Sequence, residues 1–528
     1  MRRSDNLRVK MRARKEVIDA FETEGFVNRK ENANPKGGVE MQVRHIVTML
    51  ALSILIVAVV AACAPAPTPV PTAAPPTKAP EPTKAPEPTK APEATKAPAP
   101  TAVPTPAAGD PYKIGVVVSI TGPASSLGVP ERDSVLMVME QVNKAGGIKG
   151  PDGKLHKLEV IVEDDASDTT KAVTAAKKLL EQDKVHILQG SSGSPASIAM
   201  APLATAAKIP MISYASSSAI VYPALTDLVG KAIKIPGKPD HTVAAGETLV
   251  YLARVYGVKE DDIKKANPDI KVDIALPWIF KTPQENYPVA DVQLDYLKAK
   301  GVKKVASIGV NNAFGLDSRL GMKALYKAAG IEVVADELFQ PGDKDFRAQL
   351  TKIKGLNPDA LIVHATSAEG AGVTVQFREL GFKIPIVHNH GIGAQAFIDG
   401  AKEDANGVLF PIGKVVVADT LPDSDPQKKV LLQYIKDYQA FTKGAPISTF
   451  GGHAWDGLQM AVMCLEKVGS DAAKVRDCLE GIKNFAGISG VFTMSATDHT
   501  GIAKESLVLV KIEKGKWVFV PPAQYKDN

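Results

Sequence analysis

Beyond residue 109 the chain carries no net charge. Residues 1–63 hold eleven Lys/Arg against seven Asp/Glu and residues 64–109 hold four against three, which accounts for the whole formal charge of +5 on 528 residues. A nucleic-acid partner would therefore find no electrostatic footprint. Catalytic frames are missing too. Gly190-Ser191-Ser192-Gly193 lacks the Gly-x-Ser-x-Gly frame of a nucleophile elbow, and no His or Asp is placed to complete a triad. His388 and His390 stand two apart in Val387-His388-Asn389-His390-Gly391, but no third ligand follows at a familiar metal-site spacing, so this run reads as a polar loop. No enzyme, metal or cofactor is expected. Cysteine is scarce, with only Cys63, Cys464 and Cys478.

What is present begins with an address. Residues 1–40 are polar and lack apolar periodicity. From Met41 the order is Arg44, His45, the apolar run Ile46–Ala62, then Cys63. That is the basic start and apolar core of a signal peptide. Val60-Ala61-Ala62-Cys63 resembles the bacterial lipobox, in which the cysteine is lipidated and becomes the mature N-terminus. Lys36-Gly37-Gly38 can be encoded by a ribosome-binding sequence just upstream of the Met41 codon, so translation is expected to start at Met41. Residues 64–109 are rich in Pro, Ala and Thr, with Thr-Lys-Ala-Pro-Glu-Pro recurring from Thr77 and Thr83. Such a segment cannot bury a core; as extended chain it reaches roughly 140 Å.

The remainder alternates strand and helix. Its organising stretch is Val185–Ser218: a short apolar run, the turn Gly190–Pro195, a small-residue helix over Ala196–Ala207, a strand over Ile209–Ser213 and a second turn, Tyr214–Ser218. Two parallel strands each deliver a hydroxyl-rich turn to one sheet edge, where open α/β sheets bind ligands. The N–H groups of a helix start suit a carboxylate or another small acceptor. Earlier strands are read over Lys113–Ile120 and Leu158–Glu163, with helices over Glu131–Lys144 and Thr169–Gln182. From Asp291 the alternation resumes, with helices read from Ser318, Ala371 and Ala454, and closes on a hairpin at Lys514-Gly515.

With these elements in order, the chain resembles the branched-chain amino-acid binding proteins, the solute receptors of ABC importers. The resemblance covers about 110–228 and 277–520. It is carried by Lys113-Ile114-Gly115, Thr121-Gly122-Pro123, Glu163-Asp164-Asp165 and Phe280-Lys281-Thr282-Pro283, and by Phe314-Gly315, Arg378-Glu379-Leu380-Gly381 and Ala454-Trp455-Asp456-Gly457. It implies an α/β, two-lobed type I periplasmic-binding fold, each lobe a doubly wound parallel sheet. It also implies an extracytoplasmic position, a permease partner and a small-molecule ligand between the lobes. The family's carboxylate-binding serine falls on Ser194, and the next turn's contacts fall on Ala215 and Ser217. Aromatic walls fall on Phe314, where a tyrosine is usual, and on Phe450. Leu127, Thr366 and Ser367 fall on the remaining walls. The family's acid, which holds the ligand's ammonium, falls on His390, with Glu369 the nearest substitute. An amide, a urea-like compound or a simple carboxylate is thus as credible a ligand as an amino acid. A sensor of the same fold, signalling to a membrane partner, and a cleft hydrolase or amidase remain as alternative readings.

Between Leu228 and Pro277 the resemblance stops. His241–Leu249, Leu252-Ala253, Tyr256-Gly257-Val258 and Ala266-Asn267-Pro268 look like a LysM module, a βααβ unit that binds N-acetylglucosamine glycans. Helices are read over Thr248–Tyr256 and Glu260–Ala266, with Gly257 as C-cap. The closing strand usual after Asn267 is missing, whereas Gly230-Lys231-Ala232-Ile233-Lys234-Ile235-Pro236, which has its form, stands before the module. The reading is a circular permutation inserted in a surface loop. By this likeness glycan would meet Gly246, Glu247, Thr248 and Leu249 together with Asn267, Pro268, Asp269 and Ile270.

The expected plan is therefore 1–40 untranslated or disordered, 41–63 signal peptide, 64–109 linker and 110–228 lobe 1. It continues with 229–276 insertion, 277–283 crossover, 284–411 lobe 2, 412–485 return to lobe 1, and 486–528 mainly lobe 2. With Cys63 lipidated on the outer face of the membrane, Cys464 and Cys478 are left in an oxidising compartment. They lie on two successive helices and are expected to pair.

Overall fold

The computed structural model describes residues 107–528; residues 1–40, the expected signal peptide with Cys63, and the linker up to residue 106 lie outside the described residues. The first lobe opens with β1 (Ala108–Val118), α1 (Ser125–Lys144), β2 (Ile148–Lys149), β3 (Leu155–Asp164) and α2 (Thr169–Glu181). It continues with β4 (Ile187–Gly190), α3 (Ser194–Ala207) and β5 (Met211–Ser213). The inserted segment carries β6 (Ala232–Ile233), β7 (His241–Thr242), α4 (Leu249–Tyr256) and α5 (Glu260–Ala266), and β8 (Ile279–Lys281) follows it.

The second lobe holds α6 (Asn286–Ala299), β9 (Lys304–Val310), α7 (Ala313–Ala328), β10 (Glu332–Phe339) and α8 (Arg347–Gly355). To these it adds β11 (Ala360–His364), α9 (Ser367–Glu379), β12 (Ile386–His388), α10 (Gln395–Ala401) and β13 (Leu409–Gly413). The chain returns through α11 (Lys428–Thr442), α12 (Thr449–Val468), α13 (Ala472–Glu480) and the short pair β14 (Phe485–Ala486) and β15 (Val491–Phe492). It ends on the hairpin β16 (Leu507–Glu513) and β17 (Lys516–Val520).

Two sheets organise these elements, in the orders β2-β3-β1-β4-β5-β8 and β10-β9-β11-β12-β13-β16-β17. Their central strands are parallel and read as unbroken apolar runs, Val116-Val117-Val118 and Leu361-Ile362-Val363, because helices cover both faces. Both sheets are mixed rather than wholly parallel. β2 lies antiparallel to β3, and the closing hairpin adds two antiparallel strands beyond β13.

The structure moves several expected boundaries. β1 starts inside the expected linker: Ala108 and Gly109 pair with Leu155 and His156. Glycine is needed there, since a Cβ on Gly109 would stand 2.3 Å from the His156 ring. Four helices start earlier than apolar periodicity suggests: α1 at Ser125 rather than Glu131, α7 at Ala313 rather than Ser318, α9 at Ser367 rather than Ala371, and α12 at Thr449 rather than Ala454. Their opening turns face the space between the lobes, where the 3.6-residue apolar period has no core to match. β8 is still an edge strand of the first sheet, so the first crossover is Thr282–Glu285 and not 277–283. Residues 485–502 stay with lobe 1, where Phe492 and Met494 are in the core, before the chain crosses near Ser506.

The insertion has its own core of Leu225, Ile233, Ile235, Val243, Leu249, Leu252, Ala253, Ile263 and Ile270. β6 pairs antiparallel with β7, Ile233 opposite His241. The Thr248 hydroxyl caps α4 by accepting the Tyr251 N–H at 3.0 Å, and Gly257 ends the helix at φ +65°. In lobe 1, Cys464 and Cys478 on α12 and α13 are joined by a disulfide, their Cα atoms 5.7 Å apart.

Candidate functional site

The turn after β4 is held from behind by buried acids. Ser119 Oγ and Ser191 Oγ each donate to Asp165 at 2.6 Å, and the Ser167 N–H donates to it at 2.8 Å. Ser192 Oγ accepts the Ser119 N–H at 3.0 Å and donates to the Glu131 carboxyl. Glu131 is fully buried, and burial pushes its carboxyl well above the usual carboxylate range. Fixed in this way, the turn runs into α3 with Gly193 as N-cap and Pro195 in the first turn, where a missing N–H costs nothing.

A cavity of about 490 Å³ opens in front of this turn, between the two lobes. Lobe 1 contributes Leu127, Ser191–Ala196, Tyr214–Ser216, Phe450 and His453; lobe 2 contributes Asn312, Phe314, Thr366, Glu369 and His390. Eight of the ten expected ligand residues thus converge: Ser194, Ala215, Leu127, Phe314, Thr366, Glu369, His390 and Phe450. Two do not. Ser217 is set behind the wall, its hydroxyl accepting the Ala219 N–H at 3.3 Å and its own N–H donating to Ser194 Oγ at 3.2 Å. Ser367 is buried under the first turn of α9. Ser191, Ser192 and Tyr214, which lie in the two turns expected at the binding edge but have no individual role in that expectation, also line the cavity; sequence reasoning missed His453 and the role of Asp165. The serine-rich turn and the Asp164-Asp165 pair were the available signals.

The cavity's electrostatics are spare. No Lys or Arg lines it, so a negative group would meet the N–H groups and positive end of α3 together with hydroxyls. Its two acids are engaged. Asp165 is held as described, and Glu369 accepts from Thr366 Oγ1 at 2.7 Å and from the Gly342 N–H at 3.4 Å. His390 lies edge-on to Phe314, ring centroids 5.7 Å apart. Burial, with Lys281 nearby, brings its pKa down to about 3, so the side chain at the position expected of the family's acid is a neutral imidazole. Leu127 and Phe450 of lobe 1 close on Ala394 of lobe 2 in a small apolar cluster. Lys281, the last residue of β8, is fully buried and ties the cavity wall to the crossover, donating to Ser216 O at 3.0 Å and Pro283 O at 2.9 Å.

Among the described residues no group of three or more His, Cys, Asp or Glu is arranged to hold a metal. The expected glycan contacts fare unevenly. Glu247, Thr248 and Leu249 are buried, and a Cβ on Gly246 would stand 2.9 Å from Leu316 of α7, so this turn faces lobe 2 rather than solvent. Glu247 is occupied with His241 and the Ala244 N–H, both at 2.7 Å. The Asn267 side chain is bound to the Lys234 backbone and Ile270 is in the insertion's core, which leaves Pro268 and Asp269 exposed.

A family model described as periplasmic binding protein matches residues 111–260 and 266–516. The Leu/Ile/Val-binding protein homolog 3 of Brucella melitensis biotype 1 is 25% identical over 410 residues, covering 77% of this chain and 92% of that protein. The leucine-, isoleucine-, valine-, threonine-, and alanine-binding protein of Pseudomonas aeruginosa is 22% identical over 373 residues, 70% of this chain and 83% of its own. A solved extracellular ligand-binding receptor from Rhodopseudomonas palustris HaA2 superposes with TM-score 0.62 at 26% identity, covering 78% of this chain and all of that one. These relatives are binding proteins, not enzymes.

Proposed function

The chain belongs to the periplasmic binding protein family, and from that premise we propose that it is the lipid-anchored solute receptor of an ABC importer, closing its lobes on a small solute with a carboxylate or amide end. The solute is an amino acid or a close relative of one. The observation that carries this reading is the interlobe cavity: a helix start and serine turn at one end, apolar and aromatic walls, and no charged counter-group at His390. The relatives' names point to leucine, isoleucine and valine; the neutral imidazole favours amides and simple carboxylates beside them. The lipobox-like Val60–Cys63 supports an anchor on the outer face of the membrane, and the Pro-rich segment supports a tether from it. The turn sequences and the β6–β7 pairing support a permuted LysM-like insertion that attaches to cell-wall glycan, for which Pro268 and Asp269 are the exposed part of the expected contact surface.

A thermal-shift screen of aliphatic amino acids, their amides and small carboxylates tests the receptor reading. At least one compound should raise the melting temperature in proportion to the logarithm of its concentration above Kd. No shift from any of them at millimolar concentration would contradict it.

A further inference from the structure

The insertion grows from lobe 1 but also lies against lobe 2. On one side Val250 of α4 joins the lobe 1 core cluster that holds Tyr222 and Ile279. On the other, Tyr251 Oη donates to Leu320 O of α7 at 3.2 Å, and the turn at Gly246 rests on Leu316 and Leu320. One turn along α4, Arg254 makes a two-pronged ion pair with Glu285, the last residue of the first crossover, its second prong at 3.2 Å. The Arg254 guanidinium also stands 5.9 Å from the ring centroid of Tyr287 on α6. Beside it, Ser218 of lobe 1 donates its N–H to Asp317 of α7 at 3.2 Å, and its hydroxyl donates to the same carboxyl. The seam where insertion, crossover and α7 meet keeps only about 10 Å³ open.

Two-lobed receptors work by hinge motion about their crossovers. A packed, hydrogen-bonded body that touches lobe 1, lobe 2 and a crossover at once opposes any hinge motion that carries α7 away from it. We propose that the insertion is a clasp across the two lobes: α4 grips Glu285 and α7 in the closed arrangement, with Arg254 as a positioning residue, and so sets the balance between closed and open cleft. Contacts made in only one of two states shift their populations by their differential strength. The turn Gly246–Leu249 would then become free only as lobe 2 moves away. This inference goes beyond the receptor reading: it shares with it the hinge motion of two lobes and needs neither an identified solute nor glycan binding.

Hydrogen–deuterium exchange on the full-length chain tests it with two variants. Leu316→Lys places a charge under the Gly246 turn at a position already 37% exposed. Tyr251→Phe removes only the hydroxyl that reaches Leu320. In both, amides of residues 193–197 and 313–317 should exchange at least about fivefold faster, with β4 and β9 unchanged. If β4 and β9 also accelerate in Leu316→Lys, that variant reports a fold defect, and Tyr251→Phe decides. Unchanged exchange in both cleft segments would overturn the clasp. Faster exchange together with a solute screen that finds no ligand would keep the clasp and remove the receptor reading. A ligand found with exchange unchanged would do the reverse.

Discussion

Asn267 grips the backbone of Lys234 from both sides, its Oδ1 accepting the Lys234 N–H at 2.8 Å and its Nδ2 donating to Lys234 O at 2.8 Å. The two residues are 33 apart in sequence and sit at opposite ends of the insertion. The contact places the segment after α5 beside the end of β6. Asn267→Ala should destabilise the insertion by about 1 kcal/mol, since it exchanges two hydrogen bonds to an exposed backbone for bonds to water. Exchange of the β6 and β7 amides would report this, and the sheets of the two lobes should be unaffected.

Glu285 gives the clasp a pH signature. Burial alone would raise its carboxyl, but the Arg254 guanidinium and the nearby Lys281 ammonium outweigh this and hold it at about 2. A carboxyl depressed on folding contributes its full stability above its unfolded value near 4.5 and loses it as pH falls towards about 2. Urea midpoints measured across that window should fall with pH. The paired variant Arg254→Met with Glu285→Gln removes both charges together and should flatten that part of the dependence. An unchanged slope would assign the acid sensitivity to other groups.

The Cys464–Cys478 bond closes a short loop between α12 and α13. Replacing both residues by serine should cost about 3 kcal/mol in the chain-entropy model. Thiol titration of the denatured, non-reduced protein should find neither sulfur free.

Most of the fold was legible because its central strands, such as β4, β11 and β13, are buried on both faces. The site was legible in composition but not in secondary structure. Phe314, Glu369 and Phe450 all lie in opening helical turns where apolar spacing gives way to cavity-facing residues, so apolar spacing alone puts the helix starts four to six residues late. Burial decided what no local pattern could. Nothing near Ser217 or Ser367 in the sequence says that they point away from the cavity. Nothing near Gly246 says that α7 covers it, since that contact joins segments about seventy residues apart.

The serines of the first lobe should differ in effect. Ser194 lines the cavity and also receives the Ser217 N–H, but the backbone donors of α3 remain without its hydroxyl. Ser194→Ala should therefore weaken solute binding by only about 1 kcal/mol. Ser217→Ala, behind the wall, should change affinity less than that. Equal or larger losses at Ser217 in calorimetric titrations would mean that the turn rearranges around the ligand.

The most direct test of the account is at His390, where a neutral side chain stands at the position expected of the family's acid. Calorimetry should compare the natural protein and His390→Glu with leucine and with a simple carboxylate of similar size, using His390→Gln as the uncharged control. A carboxylate at 390 would supply the partner an ammonium lacks, and such a hydrogen bond contributes about 1.5–3 kcal/mol. The account predicts tighter leucine binding and weaker binding of the simple carboxylate in His390→Glu. Leucine binding that is tighter in the natural protein than in His390→Glu would contradict it and place the ammonium site elsewhere in the cleft.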